Sequence, residues 1–403
     1  MSYDVAAVRA CFPALQEGAA HFDGPGGTQV PVPVADAVAG TLTAAVANRG
    51  SVTRAERRAD AIVVDARQAI SDLVGGVPDG VVFGRSMTAL AYQFARTLAA
   101  GWTPDDEVVV TRLDHDANVR PWVQAAQAVG ATVRWAGFDR ASADLPTDAV
   151  TDLLSERTRL VAVTGASNLL GTRPDVPAIT SAAHDAGALV HVDGVHLTPH
   201  APVDIGHLGA DLFTCSPYKF LGPHLGALAA DPALLATLAP QKLAASTNAV
   251  PERFELGTLP YEQLAGTTAA VDFLAGLVAA DGTRRQRVAV SMAALEAYET
   301  ERSRQLDAGL AAIDGVVIHS RAGRRTPTTL FSVTGVAAQQ VARHLAAAGV
   351  NAPAGHFYAI EASRWLGLGD DGAVRAGIAP YTDAHDVDRL LECVADCAAS
   401  GAR

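Results

Sequence analysis

Residues 188–229 read ALVHVDGVHLTPHAPVDIGHLGADLFTCSPYKFLGPHLGALA. Two short apolar runs stand out. Leu189–Val192 ends on Asp193, and Leu212–Cys215 ends on Ser216-Pro217-Tyr218-Lys219. Short apolar runs bounded by turn residues read as buried strands. In open α/β sheets, ligands sit outside the carboxyl ends of the strands. A carboxylate and a lysine therefore converge on one crevice.

Working outward, further strand candidates are Gly80–Phe83, Glu107–Thr111, Thr132–Ala136 and Leu160–Thr164. Helix-like segments lie among them at residues 55–74, 89–100, 120–128 and 176–184. Strands alternating with crossover helices predict an α/β protein with a largely parallel sheet covered on both faces. The pattern changes after Pro251. A charged helix over residues 283–313 reads as a link to a smaller C-terminal α/β domain, with strands at 316–320 and 328–333 and helices at 337–348 and 383–399.

A lone aspartate at a strand end is ordinarily a turn residue, and a lone lysine ordinarily a surface residue. The pair, with Gly222-Pro223-His224 after it, says more. Pyridoxal phosphate (PLP) chemistry needs such a pair. Its lysine forms a Schiff base and must be unprotonated, which burial favours. Its aspartate keeps the pyridine nitrogen protonated, so that the ring accepts electrons. Upstream, Phe83-Gly84-Arg85-Ser86-Met87-Thr88 joins a strand to a helix. Free N–H groups at such a junction suit a phosphate, although Ser86 alone fits a simple N-cap equally well.

These motifs resemble class V aminotransferase-type, fold-type I PLP enzymes, close to the cysteine desulfurase and selenocysteine lyase group. The resemblance implies a large, mostly parallel seven-stranded sheet domain over residues 21–280. It also implies a small α/β domain made of residues 1–20 and 281–403. Cofactor contacts are implied for Ser86, Met87, Thr88, Asn168, Asp193, His196, Ser216, Tyr218 and Lys219. Ser167-Asn168-Leu169-Leu170-Gly171-Thr172 matches the family's S-N-x-x-G-T segment. Phe254-Glu255-Leu256-Gly257-Thr258 matches F-E-x-G-T, which implies a homodimer with Thr258 at the neighbouring subunit's phosphate. Arg375 is implied to hold the substrate carboxylate, with Asn168 and His356 as further substrate contacts.

Two departures bear on the reaction. His115-Asp116-Ala117-Asn118 has Asp116 where the family's H-H-A-N has a stacking histidine, and His115 is its neighbour. Asp116 has two open roles, a base or the holder of a substrate amine. Gly355-His356-Phe357-Tyr358-Ala359 has Tyr358 where the desulfurases carry their nucleophilic cysteine. Accepting sulfur requires a thiolate. The expected reaction is therefore Cα deprotonation by Lys219 followed by β-elimination, C–S lyase-like, with His115, Asp116 and Tyr358 as further catalytic candidates. An epimerase or racemase, an aminotransferase, and an inactive scaffold of the same fold are the alternatives. Arg49, Arg54, Arg120 and Arg364 are candidates for a second carboxylate site.

Bulk properties narrow the setting. The chain has 403 residues, 49% hydrophobic, and a net charge of −12. That charge argues against nucleic acid and anionic membranes as partners. The four cysteines form no regular framework, and no signal peptide or membrane span is read, so a cytoplasmic setting is expected. No metal-ligand spacing is read among the twelve histidines.

Overall fold

Val108, Val109 and Val110 are fully buried, as are Val161, Ala162 and Val163. Unbroken apolar runs of this kind belong to strands covered on both faces. In the computed structural model, which describes residues 3–401, they lie inside a seven-stranded sheet. Its spatial order is Val81–Gly84, Gly226–Ala230, Leu212–Cys215, Leu189–Asp193, Thr158–Thr164, Glu107–Thr111 and Thr132–Ala136. Alternate side chains divide between the faces. Val109, Val161 and Val190 pack with Ile70 and Leu264, whereas Val108, Leu160 and Ala162 pack with Phe94 and Trp122.

Gly226–Ala230 runs antiparallel to both of its neighbours, and the other pairings are parallel. Six strands therefore point the same way, and their carboxyl ends share one edge. Gly226–Ala230 was not among the strand candidates, because GALAA has no β-branched residue to signal one. The space explains its first residue. A Cβ on Gly226 would stand 2.2 Å from the carbonyl carbon of Ser86. Only glycine lets this strand press against the turn that opens the helix Met87–Ala99.

The remaining elements follow the sequence closely. The helix Arg54–Val74 starts on a Thr53/Glu56 capping box and stops at Gly75. The long helix is Arg284–Ala311, also opened by a capping box, Thr283 with Gln286. Its Val288, Met292 and Leu295 enter the large-sheet core, whereas Leu306 and Leu310 enter the core of a four-stranded antiparallel sheet. That sheet has the order Ala354–Gly355, Ala373–Gly377, Thr328–Val333, Val316–Ile318.

Residue 20 is not a sharp boundary. Val8 and Phe12 lie in the large-sheet core, whereas Ala20 and Phe22 lie in the small-sheet core. The first segment is pinned from both sides: the Tyr3 hydroxyl donates to Pro380 O, Arg9 pairs with Asp383 and Asp386, and Phe12 meets Phe273 edge-on.

Candidate active site

The shared carboxyl edge opens into a cavity of about 540 Å³, closed on its far side by the small sheet. Ser86, Met87 and Thr88 line one end, at the first turn of the helix Met87–Ala99. Ser86 accepts from Ala89 N at 3.1 Å, so its hydroxyl does cap the helix. Thr88 is exposed to the cavity, and Tyr92 follows it one turn later.

Asp193 and Lys219 meet at the base, as the convergence of their strands requires. One Asp193 oxygen accepts from Val195 N at 2.9 Å. Burial pushes its carboxyl up to about 6, against the pull of that hydrogen bond and of Lys219. Burial lowers the Lys219 ammonium to about 7; Arg375 adds to the shift and Asp193 opposes it. Lys219 Nζ donates to Pro25 O at 2.6 Å. Ser216 is buried beside it, and the Tyr218 ring stacks on His224 with centroids 4.8 Å apart. Cys215, just behind, is buried with its thiol pushed up to about 12, which is the state of an inert structural cysteine.

Buried polar side chains support this base. Asn118 donates to Asp114 at 2.7 Å and accepts from Trp122 Nε1 at 3.1 Å. His191 Nδ1 lies 2.6 Å from the same Asn118 oxygen. Burial lowers the His191 imidazole to about 3 and raises the Asp114 carboxyl to about 8. Asn118 thus couples the loop after one strand to a histidine inside another.

The opposite wall comes from Ser167 onward and from the small sheet. Asn168 Nδ2 donates to Phe357 O at 2.9 Å, and Arg375 Nη1 donates to Asn168 O at 2.9 Å. Asn168 Oδ1 and Arg375 Nε are buried with no hydrogen-bond partner. Burial lowers the Arg375 guanidinium to about 9. His196 lines the same wall and shares a 2.9 Å contact with Thr328 Oγ1. Burial, with His200, Arg375 and Lys219 nearby, pushes its imidazole well below the usual histidine range.

Tyr358 sits at the mouth, 70% exposed, in a turn where Phe357 and Tyr358 have φ of 49° and 60°. Two left-handed non-glycine residues cost about 1–2 kcal/mol each. Hydrogen bonds hold them there: Asp116 N donates to Tyr358 O at 2.7 Å and Tyr358 N to His356 Nδ1 at 3.1 Å. Asp116 and His115 both line the cavity but face different partners. Asp116 forms an ion pair with Arg120, its Oδ1 2.8 Å from Nε. The His115 ring is lowered to about 4 by burial, with Lys219 and Arg375 adding to the shift.

Not every candidate residue lines this cavity. His356 is not among the residues lining the cavity; its ring supports the Tyr358 turn instead, because its Nδ1 is taken by the backbone. Thr258 is exposed and lies outside its own chain's cavity. Of the four candidate arginines, only Arg120 lines the cavity. Arg49 is held by Asp60 and Glu252, Arg364 by Asp370, and Arg54 is exposed. Pro25, Gly26, Tyr92 and Phe357 line the cavity without having been foreseen. Gly24-Pro25-Gly26-Gly27 is a turn signal that points to the first two. Tyr92, four residues after Thr88 on one helix, was readable from helical spacing. Phe357 has no such signal.

The family model for class-V aminotransferases matches residues 20–390. An uncharacterized protein of Mycobacterium tuberculosis is 36% identical, over 98% of this chain and 99% of its own. A probable cysteine desulfurase of Mycobacterium leprae is 33% identical, over 96% of this chain and 95% of its own. Among solved structures, a cysteine desulfurase of Escherichia coli in its S-sulfonic acid form superposes with a TM-score of 0.87 at 27% identity, covering 99% of both chains. The matched span takes in both sheets and every residue that lines the cavity. The chain belongs to the class-V aminotransferase family and is a PLP-dependent enzyme of fold type I.

Proposed function

We propose that this enzyme is an amino-acid lyase that removes a β-substituent, C–S lyase-like in its chemistry, and that it is not a cysteine desulfurase. One observation supports the reading: Tyr358 lines the cavity mouth, in the segment that resembles the desulfurases' cysteine segment, and no cysteine is among the lining residues. Cys215 lies behind the wall with its thiol protonated.

The cavity suits the cofactor. It gathers a depressed lysine, a buried carboxylate and a helix N-terminus, and it leaves Asn168 Oδ1 and Arg375 Nε without partners. Lys219 would hold the aldehyde carbon, Asp193 the ring nitrogen, and the Ser86–Thr88 turn the phosphate. When bound, PLP supplies an electron sink for the substrate Cα.

The protein's own groups do the rest. Arg375 binds the α-carboxylate through a guanidinium suited to paired N–H···O bonds. Lys219 Nζ, its ammonium lowered by burial to about 7, takes the Cα proton. Tyr358 Oη gives its proton to the departing β-substituent, and Asp116 faces the same end of the substrate. With one water consumed, an S-substituted cysteine becomes a thiol, ammonia and a 2-keto acid.

We further propose a homodimer in which Thr258 reaches the neighbouring subunit's site. The exposure of Leu256, at 62%, and of Thr258, both outside their own cavity, supports that assignment.

Product analysis tests the lyase reading. The holoenzyme, given a panel of S-substituted cysteines, is expected to release thiol, ammonia and keto acid in equal amounts. Inversion of the stereocentre without keto acid would establish an epimerase. Stoichiometric amino-group exchange with an added keto acid would establish an aminotransferase.

A further inference from the structure

Arg375, the carboxylate-binding group of the proposed reaction, is itself held in place. The Phe357 ring lies under its guanidinium, with Cζ 3.7 Å from the ring centroid. Nη1 is taken by Asn168 O. Asn168 in turn donates from its side chain to Phe357 O. Three residues close a ring: Asn168 fixes the Phe357 backbone, Phe357 covers one face of Arg375, and Arg375 returns to Asn168. The ring joins the large sheet's edge to the small sheet, because Asn168 follows Thr158–Thr164 and Arg375 lies within Ala373–Gly377.

We propose that Phe357 is a positioning residue for substrate-carboxylate binding. It acts through Arg375 and fixes the plane in which the guanidinium meets the carboxylate. The proposal rests on reading Arg375 as the carboxylate group. A free arginine has many rotamers to lose on binding; a guanidinium covered on one face by a ring and bonded at one end has few. The stack also explains why Phe357 occupies a left-handed conformation that any non-glycine residue disfavours. Relaxing the turn would move the ring from beneath the guanidinium.

The test compares two probes that differ by one group: S-methyl-L-cysteine and its decarboxylated counterpart, 2-(methylthio)ethanamine. Dissociation constants are read from the change in cofactor absorbance of the holoenzyme, and KM and kcat separately for the amino acid. The wild type should bind the amino acid much more tightly than the amine. Phe357→Leu, which keeps the same backbone burden, should weaken amino-acid binding about tenfold and leave amine binding unchanged. The loss should appear in KM rather than kcat, and Phe357→Tyr should restore it.

Equal weakening of both probes would make Phe357 a mere structural support and overturn the proposal. So would a Phe357→Leu protein with wild-type affinity for the amino acid. A wild type that treats the two probes alike would remove the reading of Arg375 itself, and the proposal with it.

Discussion

Asp193 reaches the cavity from a strand hydrogen-bonded on both sides, whereas Tyr358 reaches it from a turn of two consecutive left-handed residues. Lys219 is largely withdrawn from solvent and its ammonium is depressed by that burial; Tyr358 is 70% exposed. The first wall is regular, closed, and fitted to chemistry that needs displaced proton affinities. The second is irregular, open, and held by a few hydrogen bonds. The difference teaches where change is tolerated. A strand-end residue cannot move without its neighbours, but a side chain on a pinned turn can be exchanged while the turn persists. Tyr358, for which we propose the place of the desulfurase cysteine, lies on the second wall.

The sharpest way to break this contrast is Lys219→Ala. Turnover should fall about a thousandfold or more, with loss of covalently held cofactor after denaturation, checked by steady-state assay and mass spectrometry. Retained turnover would show that the regular wall is not the reacting one. Tyr358→Phe should lower kcat about a hundredfold for substrates with poor leaving groups and much less for good ones. A uniform effect on both would reduce Tyr358 to part of the wall.

The contrast also has a pH signature. With the Lys219 ammonium at about 7, the fraction of free amine grows about tenfold per pH unit below that value and levels off above it. Stopped-flow capture of added PLP by the apo-protein should follow this curve. A rate still climbing at pH 9 would mean that burial does not depress the lysine. The smallest effect is Thr283→Ala. Losing this capping box should cost about 1 kcal/mol of stability by denaturant titration and leave KM unchanged.

Much of the first wall was legible in the sequence. Apolar runs ending in Asp193 and Ser216–Lys219 mark strand ends, and strand ends in a parallel sheet mark the crevice. The match of Glu107–Thr111 and Leu212–Cys215 to their observed bounds shows how directly buried strands are written. The second wall was less legible because long-range contacts define it. Nothing local to Phe357 says that Arg375 lies on its ring, and nothing local to Tyr358 says that Asp116 holds its carbonyl. Gly226–Ala230 escaped for a third reason. Its small residues answer to the closeness of Ser86, which only the folded chain brings about.

The helix Arg284–Ala311 belongs to two cores at once. At 28 residues it is about 42 Å long, and its rigidity makes it a ruler laid between the two walls. Glu299, midway along, is buried against His200 of the large-sheet side at 2.9 Å. The small sheet can tilt against the large one only if this rod bends or that pair parts. The aperture at Tyr358 is therefore calibrated far from the cavity, and a substitution on the rod would alter which side chains fit without touching any of them.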